Sequence, residues 1–155
     1  MATNTGIDPR GPRFSAGITA VLLIITIALS LAGATIAATV LFTALTLLFA
    51  WGAFAGVQRH PYGILFRKLV RPRLAAPTEL EDPAPPTFAQ GVGFVITAVG
   101  LVLGIAGVPF AIAVAASAAF IAAFLNSVFG YCLGCQIYLL LVRAGIIRRK
   151  GATTA

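Results

Sequence analysis

FSAGITAVLLIITIALSLAGATIAATVLFTALTLLFAWGAFAGVQ, residues 14–58, contains not one Lys, Arg, Asp or Glu. A second stretch, residues 83–142, is equally free of them. All eleven Lys and Arg and all four Asp and Glu fall into three clusters: Asp8, Arg10 and Arg13; residues 59–82; and Arg143, Arg148, Arg149 and Lys150. Soluble chains carry roughly a quarter charged residues, spread along their length. Here charged residues are 10%, apolar residues are 59%, and mean hydropathy is +1.00. A bilayer core imposes such segregation, because an unpaired charge inside it is costly.

Crossing the hydrocarbon takes about 20 residues of helix. The first block holds two such lengths, near residues 14–32 and 35–56, with the tight turn falling where Ser30, Gly33 and Ala34 thin out the apolar run. The second holds two more, near 89–106 and 109–129, broken at residues 104–109 by glycines and by Pro109, which favours a helix start. The expected fold is therefore all-α. It is a polytopic membrane protein, a single membrane domain over residues 1–155, with a four-transmembrane-helix bundle and a short C-terminal interfacial helix. Residues 57–88 form a basic loop. Within it residues 63–70 predict a short interfacial helix, with Ile64, Leu65, Phe66 and Leu69 inward and Arg67 and Lys68 outward. Pro83, Pro85 and Pro86 predict an extended approach to the third span. A competing reading of the first span is a secretory signal, with Arg10 and Arg13 as its basic region and Ala32-Gly33-Ala34 as its cleavage site. Its apolar run is longer than such signals use.

Four crossings put both termini and the middle loop on one side. Every Lys and Arg lies there, and the two short turns on the far side have none, so the positive-inside rule places that side in the cytoplasm of a bacterial inner membrane. The net charge of +7 thus reads as membrane flanking, with the bilayer as partner and no nucleic acid. Small-residue stripes offer close helix packing: Gly52 and Gly56, Gly100 and Gly104, and Ala111, Ala115, Ala119 and Ala123. Bundling within the chain is the first reading of these stripes and a homodimer the second.

The two cysteines form a Cys-x-x-Cys at Cys132 and Cys135, in a segment (residues 130–150) left over once four spans are complete. Positions i and i+3 share a helix face, so the sulfurs can meet across one turn. If a new helix starts after Gly130, Cys132 sits in its first turn, where a helix N-terminus and nearby arginines favour the thiolate. Redox or sulfur-transfer chemistry on Cys132 and Cys135 is the leading reading, with Cys132 attacking and Cys135 resolving. Inert packing, as in a non-catalytic scaffold or subunit, is the alternative, and a transporter of small sulfur compounds is a third. His60 either accepts a thiol proton or caps a helix end. Asn126 is expected to hydrogen-bond across the bundle. Two thiols and one histidine do not complete a zinc site, and Gln136 stands where haem attachment needs histidine. No metal or cofactor is implied, and a quinone has no residue pointing to it. Paired carboxylates, nucleophile elbows and phosphate loops are absent, which removes hydrolases and kinases.

Asp8-Pro9-Arg10-Gly11-Pro12-Arg13-Phe14, His60-Pro61, and Asn126 through Gly130-Tyr131-Cys132-Leu133-Gly134-Cys135 together resemble a bacterial membrane family known as domain of unknown function 4395. The resemblance covers nearly the whole chain. It implies no established activity, but it does imply partnership with thioredoxin-like or rhodanese-like proteins. A four-helix bundle with a terminal Cys-x-x-Cys is also similar to quinone-linked thiol oxidoreductases of the vitamin K epoxide reductase type. Those use a second cysteine pair and work outside the cytoplasm, whereas this chain has one pair on the basic side.

Overall fold

The charge pattern places the first helix start too late. In the computed structural model, which describes residues 6–148, helix α1 runs Arg10–Leu31, so Arg10 and Arg13 lie in its first turn rather than before it. The Asp8 carboxylate makes this start: its Oδ1 accepts the Arg10 backbone N–H at 3.0 Å and its two oxygens hold the Arg10 guanidinium at 2.9 and 2.8 Å. Helix α2 is Thr35–Ala55. The loop holds a 3-10 turn at Val57–Arg59 and helix α3 (Pro61–Leu65), which winds on through a π-helical stretch, Phe66–Val70, and a 3-10 turn, Arg71–Arg73. Helices α4 (Ala84–Ile105), α5 (Ala111–Phe129) and α6 (Leu133–Arg143) complete the chain. The described residues are thus all-helical, with four helices long and apolar enough to cross a membrane. Arg149 and Lys150 lie outside them.

Two boundaries correct the sequence reading. The extended stretch expected around Pro83–Pro85–Pro86 is helical from Ala84. First-turn N–H groups have no partner within a helix, so Pro85 and Pro86 remove nothing there, and the Asp82 carboxylate takes the Ala84 N–H at 2.9 Å. At the other turn, Pro109 does not begin a helix. Phe110 adopts a left-handed φ of 59° in closing the reversal, and α5 starts after it.

The four long helices form a ring in the order α1, α2, α4, α5. Its centre is small: Leu23, Phe42, Leu45, Ala115, Ala116 and Ala119. Bulky apolar side chains face outward instead, including Val21, Ile36, Val40, Phe54, Val102 and Val114. A water-soluble bundle would invert that arrangement, whereas a lipid-facing one needs it. Hydroxyls are satisfied within their own helices, as a bilayer requires. Thr26, Thr46 and Thr97, all buried, donate to the carbonyls of Leu22, Phe42 and Gly93, four residues back, at 2.9 Å.

The small-residue stripes are occupied inside the chain at Gly52, Gly100 and Gly104, whereas Gly56 lies past the end of α2, where a Cβ would have nothing within 4 Å. A Cβ on Gly100 would collide with the Ala115 side chain, one on Gly104 would lie 2.7 Å from Ile112, and one on Gly52 would lie 2.7 Å from Gln90. These glycines let α4 approach α5 and α2.

The loop is tied to the same end of the ring as the start of α1. Ile7 and Glu81 exchange backbone hydrogen bonds at 2.9 Å, and Arg10 donates to the Ala75 carbonyl at 2.9 Å. Of the four side chains expected to turn inward from residues 63–70, only Phe66 does. It is buried, it stacks on Phe14 at 5.7 Å, and it packs on Gly11. Ile64, Leu65 and Leu69 are exposed, as are Arg67 and Lys68. The π-helical winding shifts the register, so a single 3.6-residue face does not persist through the segment.

Candidate functional site: a dithiol at a basic cavity

Gly130 ends α5 with φ +67°, and the N–H groups of Gly130 and Tyr131 turn back to the carbonyls of Asn126 and Leu125, both at 3.1 Å. A left-handed residue is cheap only for glycine. The next helix can then begin two residues on. Cys132 is its N-cap, and its Sγ accepts the Cys135 N–H at 3.2 Å. The two sulfurs are joined in a disulfide, with Cα atoms 5.2 Å apart, and both cysteines are half-buried.

Helix α6, at eleven residues, is about 16 Å long and too short to cross a bilayer. It is amphipathic. Gly134 and Tyr138 are buried and Ile137 and Leu140 exposed. Gly134 sits directly on α4, where a Cβ would come within 2.6 Å of the Ala89 Cα. Tyr138 meets the Phe88 ring at 5.6 Å. These two contacts seat the start of α6 on the start of α4.

The seat faces a cavity of about 630 Å³ whose lining includes Cys132 and Cys135. Segments far apart in sequence close it: the N-terminal segment through Arg13, the loop from Val57 to Arg71, Glu81, the first turns of α4, and Asn126 at the end of α5. Arg13 spans the gap between α1 and α5, its guanidinium 3.3 and 3.5 Å from the carbonyls of Val128 and Ser127. A cation at a helix C-terminus is electrostatically favoured. A larger groove of about 1200 Å³ lies between the ends of α2 and α4, lined by apolar residues such as Phe54, Phe94 and Val95 with Arg59 and Asp82 at its rim. It contains none of the sequence-predicted site residues.

His60 lines the same cavity as the cysteines and is buried. Its Nδ1 accepts the Tyr62 N–H at 3.3 Å, capping α3. That leaves Nε2 to carry the proton and donate to the Leu48 carbonyl, 3.2 Å away. Burial pushes its pKa below the usual 6.5, with the Leu48 carbonyl pulling weakly the other way. The ring is therefore neutral, with both nitrogens engaged. Since the folded pKa is lowered, the unfolded chain takes up the proton first as pH falls, and stability declines through and below pH 6.5. His60 is the one histidine, so this window is its own. Thermal unfolding in micelles should show a midpoint that drops between pH 7.5 and 5.5, with a slope of at most about 1.4 kcal/mol per pH unit. His60→Asn, which keeps a capping acceptor, should flatten that profile.

Asp8 lies in the cavity wall, its carboxyl held below the ordinary range by the hydrogen-bonded Arg10, with burial opposing and Arg71 assisting from further off. Asn126 lines the cavity and, among the described residues, makes no side-chain hydrogen bond across the bundle, contrary to expectation. It sits at the last turn of α5, where the helices part. Among the described residues no three His, Cys, Asp or Glu side chains cluster as metal ligands. The structure thus brings Cys132, Cys135 and His60 to one cavity. It adds Asp8 and, by number, Arg13, Arg67 and Arg71, where sequence reasoning had placed only unspecified arginines near the thiols. The repeated arginines of Asp8-Pro9-Arg10-Gly11-Pro12-Arg13 were the available signal.

Neither a search of curated proteins nor a search of solved structures finds a match. One family model does match, over residues 7–143, from the Ile7 pairing with Glu81 to the last residue of α6. By that match the chain belongs to the family described as Domain of unknown function (DUF4395).

Proposed function

We propose that this is a membrane thiol–disulfide exchange or sulfur-transfer protein of the bacterial inner membrane, with both termini and its dithiol in the cytoplasm. Its partner is a thioredoxin-like or rhodanese-like protein. One observation carries the reading: Cys132 caps α6 with its Sγ on the Cys135 N–H, half-exposed at a cavity that also presents arginines. A reduced Cys132 there has its thiolate favoured by the helix N-terminus and the N–H, and Cys135 lies one turn away to resolve the mixed disulfide. Orientation is supported by the basic residues gathering at this end of the bundle.

A scaffold role is favoured by one observation, the close seating of Gly134 on Ala89, which packing alone explains. Trapping separates the two. In cells, Cys135→Ser should accumulate a reducible adduct with a cytosolic protein, and Cys132→Ser should not. An impermeant maleimide should label reduced Cys132 in inverted vesicles and not in whole cells. No adduct with either variant leaves the scaffold, and labelling from outside reverses the orientation.

A further inference from the structure

The cavity has a volume, a charge and a reactive bond, and together they specify what enters it. At about 630 Å³ it falls within the ordinary range of small-molecule pockets, roughly 300–1,000 Å³. Three arginines line it, Arg13, Arg67 and Arg71, and the Arg13 guanidinium also reaches the Ser127 and Val128 carbonyls. Against them stand two carboxylates, and Asp8 has both its oxygens on Arg10, leaving Glu81 to oppose three cations. His60 adds no charge, with both ring nitrogens engaged. The N-terminus of α6 adds partial positive charge at the sulfurs. Asn126 offers an amide there that is not engaged within the bundle. The electrophile at this anion-favouring wall is the Cys132–Cys135 disulfide.

We propose that the cavity binds a small thiol bearing a carboxylate, and that this thiol reduces the disulfide within it. The proposal rests on the thiol-exchange reading and adds the substrate class. The ligand thiolate attacks Cys132 Sγ. The bond to Cys135 breaks with its electron pair leaving on Cys135, and a mixed disulfide forms. A second thiolate attacks the ligand sulfur of that mixed disulfide and releases Cys132. Two ligand thiols are oxidised to one disulfide, the protein disulfide is reduced to the dithiol, and the two protons lost by the ligands are balanced by the two taken up at the cysteines. The arginines hold the carboxylate and offset the negative charge building on sulfur.

The test uses full-length oxidised protein in neutral micelles with three thiols of similar size: 3-mercaptopropionate, 2-mercaptoethanol and cysteamine. Each rate of reduction is normalised to thiolate concentration and to the same thiol acting on bis(2-hydroxyethyl) disulfide. The expected order is anionic, then neutral, then cationic, spanning roughly tenfold at low salt and collapsing in high salt as screening shortens. Arg67→Gln with Arg71→Gln, both exposed, should cut the span to about threefold or less. A flat order in the unmodified protein overturns the anionic-thiol site and leaves thiol exchange standing. If no thiol reduces the native disulfide while all reduce it after unfolding, the exchange reading falls as well.

Discussion

Gly134→Val is expected to cost roughly a hundredfold in thiol-exchange rate while leaving the four-span ring nearly as stable as before. A Cβ at this position would lie 2.5 Å from the Ala89 Cβ and 2.6 Å from its Cα. The second contact is with backbone, which has no rotamer to yield. Helix α6 must therefore lift off α4, taking the Tyr138–Phe88 contact with it. A displacement on the order of 1 Å is enough to lose about two decades of rate where geometry is productive. The ring core of Leu23, Phe42 and Leu45 is untouched, so the thermal midpoint in micelles should barely move. Exchange is read with 3-mercaptopropionate, and Leu140→Val, on the exposed side of α6, is the control. An unchanged rate in Gly134→Val would show that the seat on α4 does not place the dithiol.

Gly100→Leu should do the reverse and unfold the ring. Its Cβ would overlap the Ala115 side chain and lie 3.5 Å from both the Ala111 carbonyl and the Phe42 ring. Overpacking a close helix contact costs about 1–3 kcal/mol even for smaller insertions, and here three further carbons have nowhere to go. A loss of at least about 3 kcal/mol is expected, measured as the unfolding midpoint in a denaturing-detergent titration. Val99→Leu, on the exposed face, should stay within about 0.5 kcal/mol. If Gly100→Leu unfolds like the parent chain, α4 and α5 are not packed as described.

The spans were legible because charge is forbidden in a bilayer core, and residues 14–58 and 83–142 obey that prohibition without exception. Helix ends were less legible. Pro85 and Pro86 read as breakers, yet a first turn tolerates them, and Arg10 reads as flanking until Asp8 is seen to hold it. The dithiol seat was half legible: Gly130 announces a stop and a new helix follows it, but Cys132 caps that helix rather than lying in its first turn. The cavity was not legible, because Arg13 and Cys132 meet through the packing of α1 on α5 and of α6 on α4. No local pattern in either segment encodes that meeting. The same limit explains Asn126, whose side chain faces an opening that the helical periodicity of α5 does not reveal.

The closure of the cavity by segments before α1 and after α5 also bears on how the protein is made. Its arginine-bearing walls are synthesised first, with α1 and the loop through Arg71. The paired sulfurs arrive last, on the segment after α5. A nascent chain therefore acquires its cysteines only after Arg13, Arg67 and Arg71 have been made. A chain cut short before residue 130 carries the basic walls with nothing to oxidise. The position of Cys132 and Cys135 thus makes their pairing a late event of synthesis, one that follows every span of the ring.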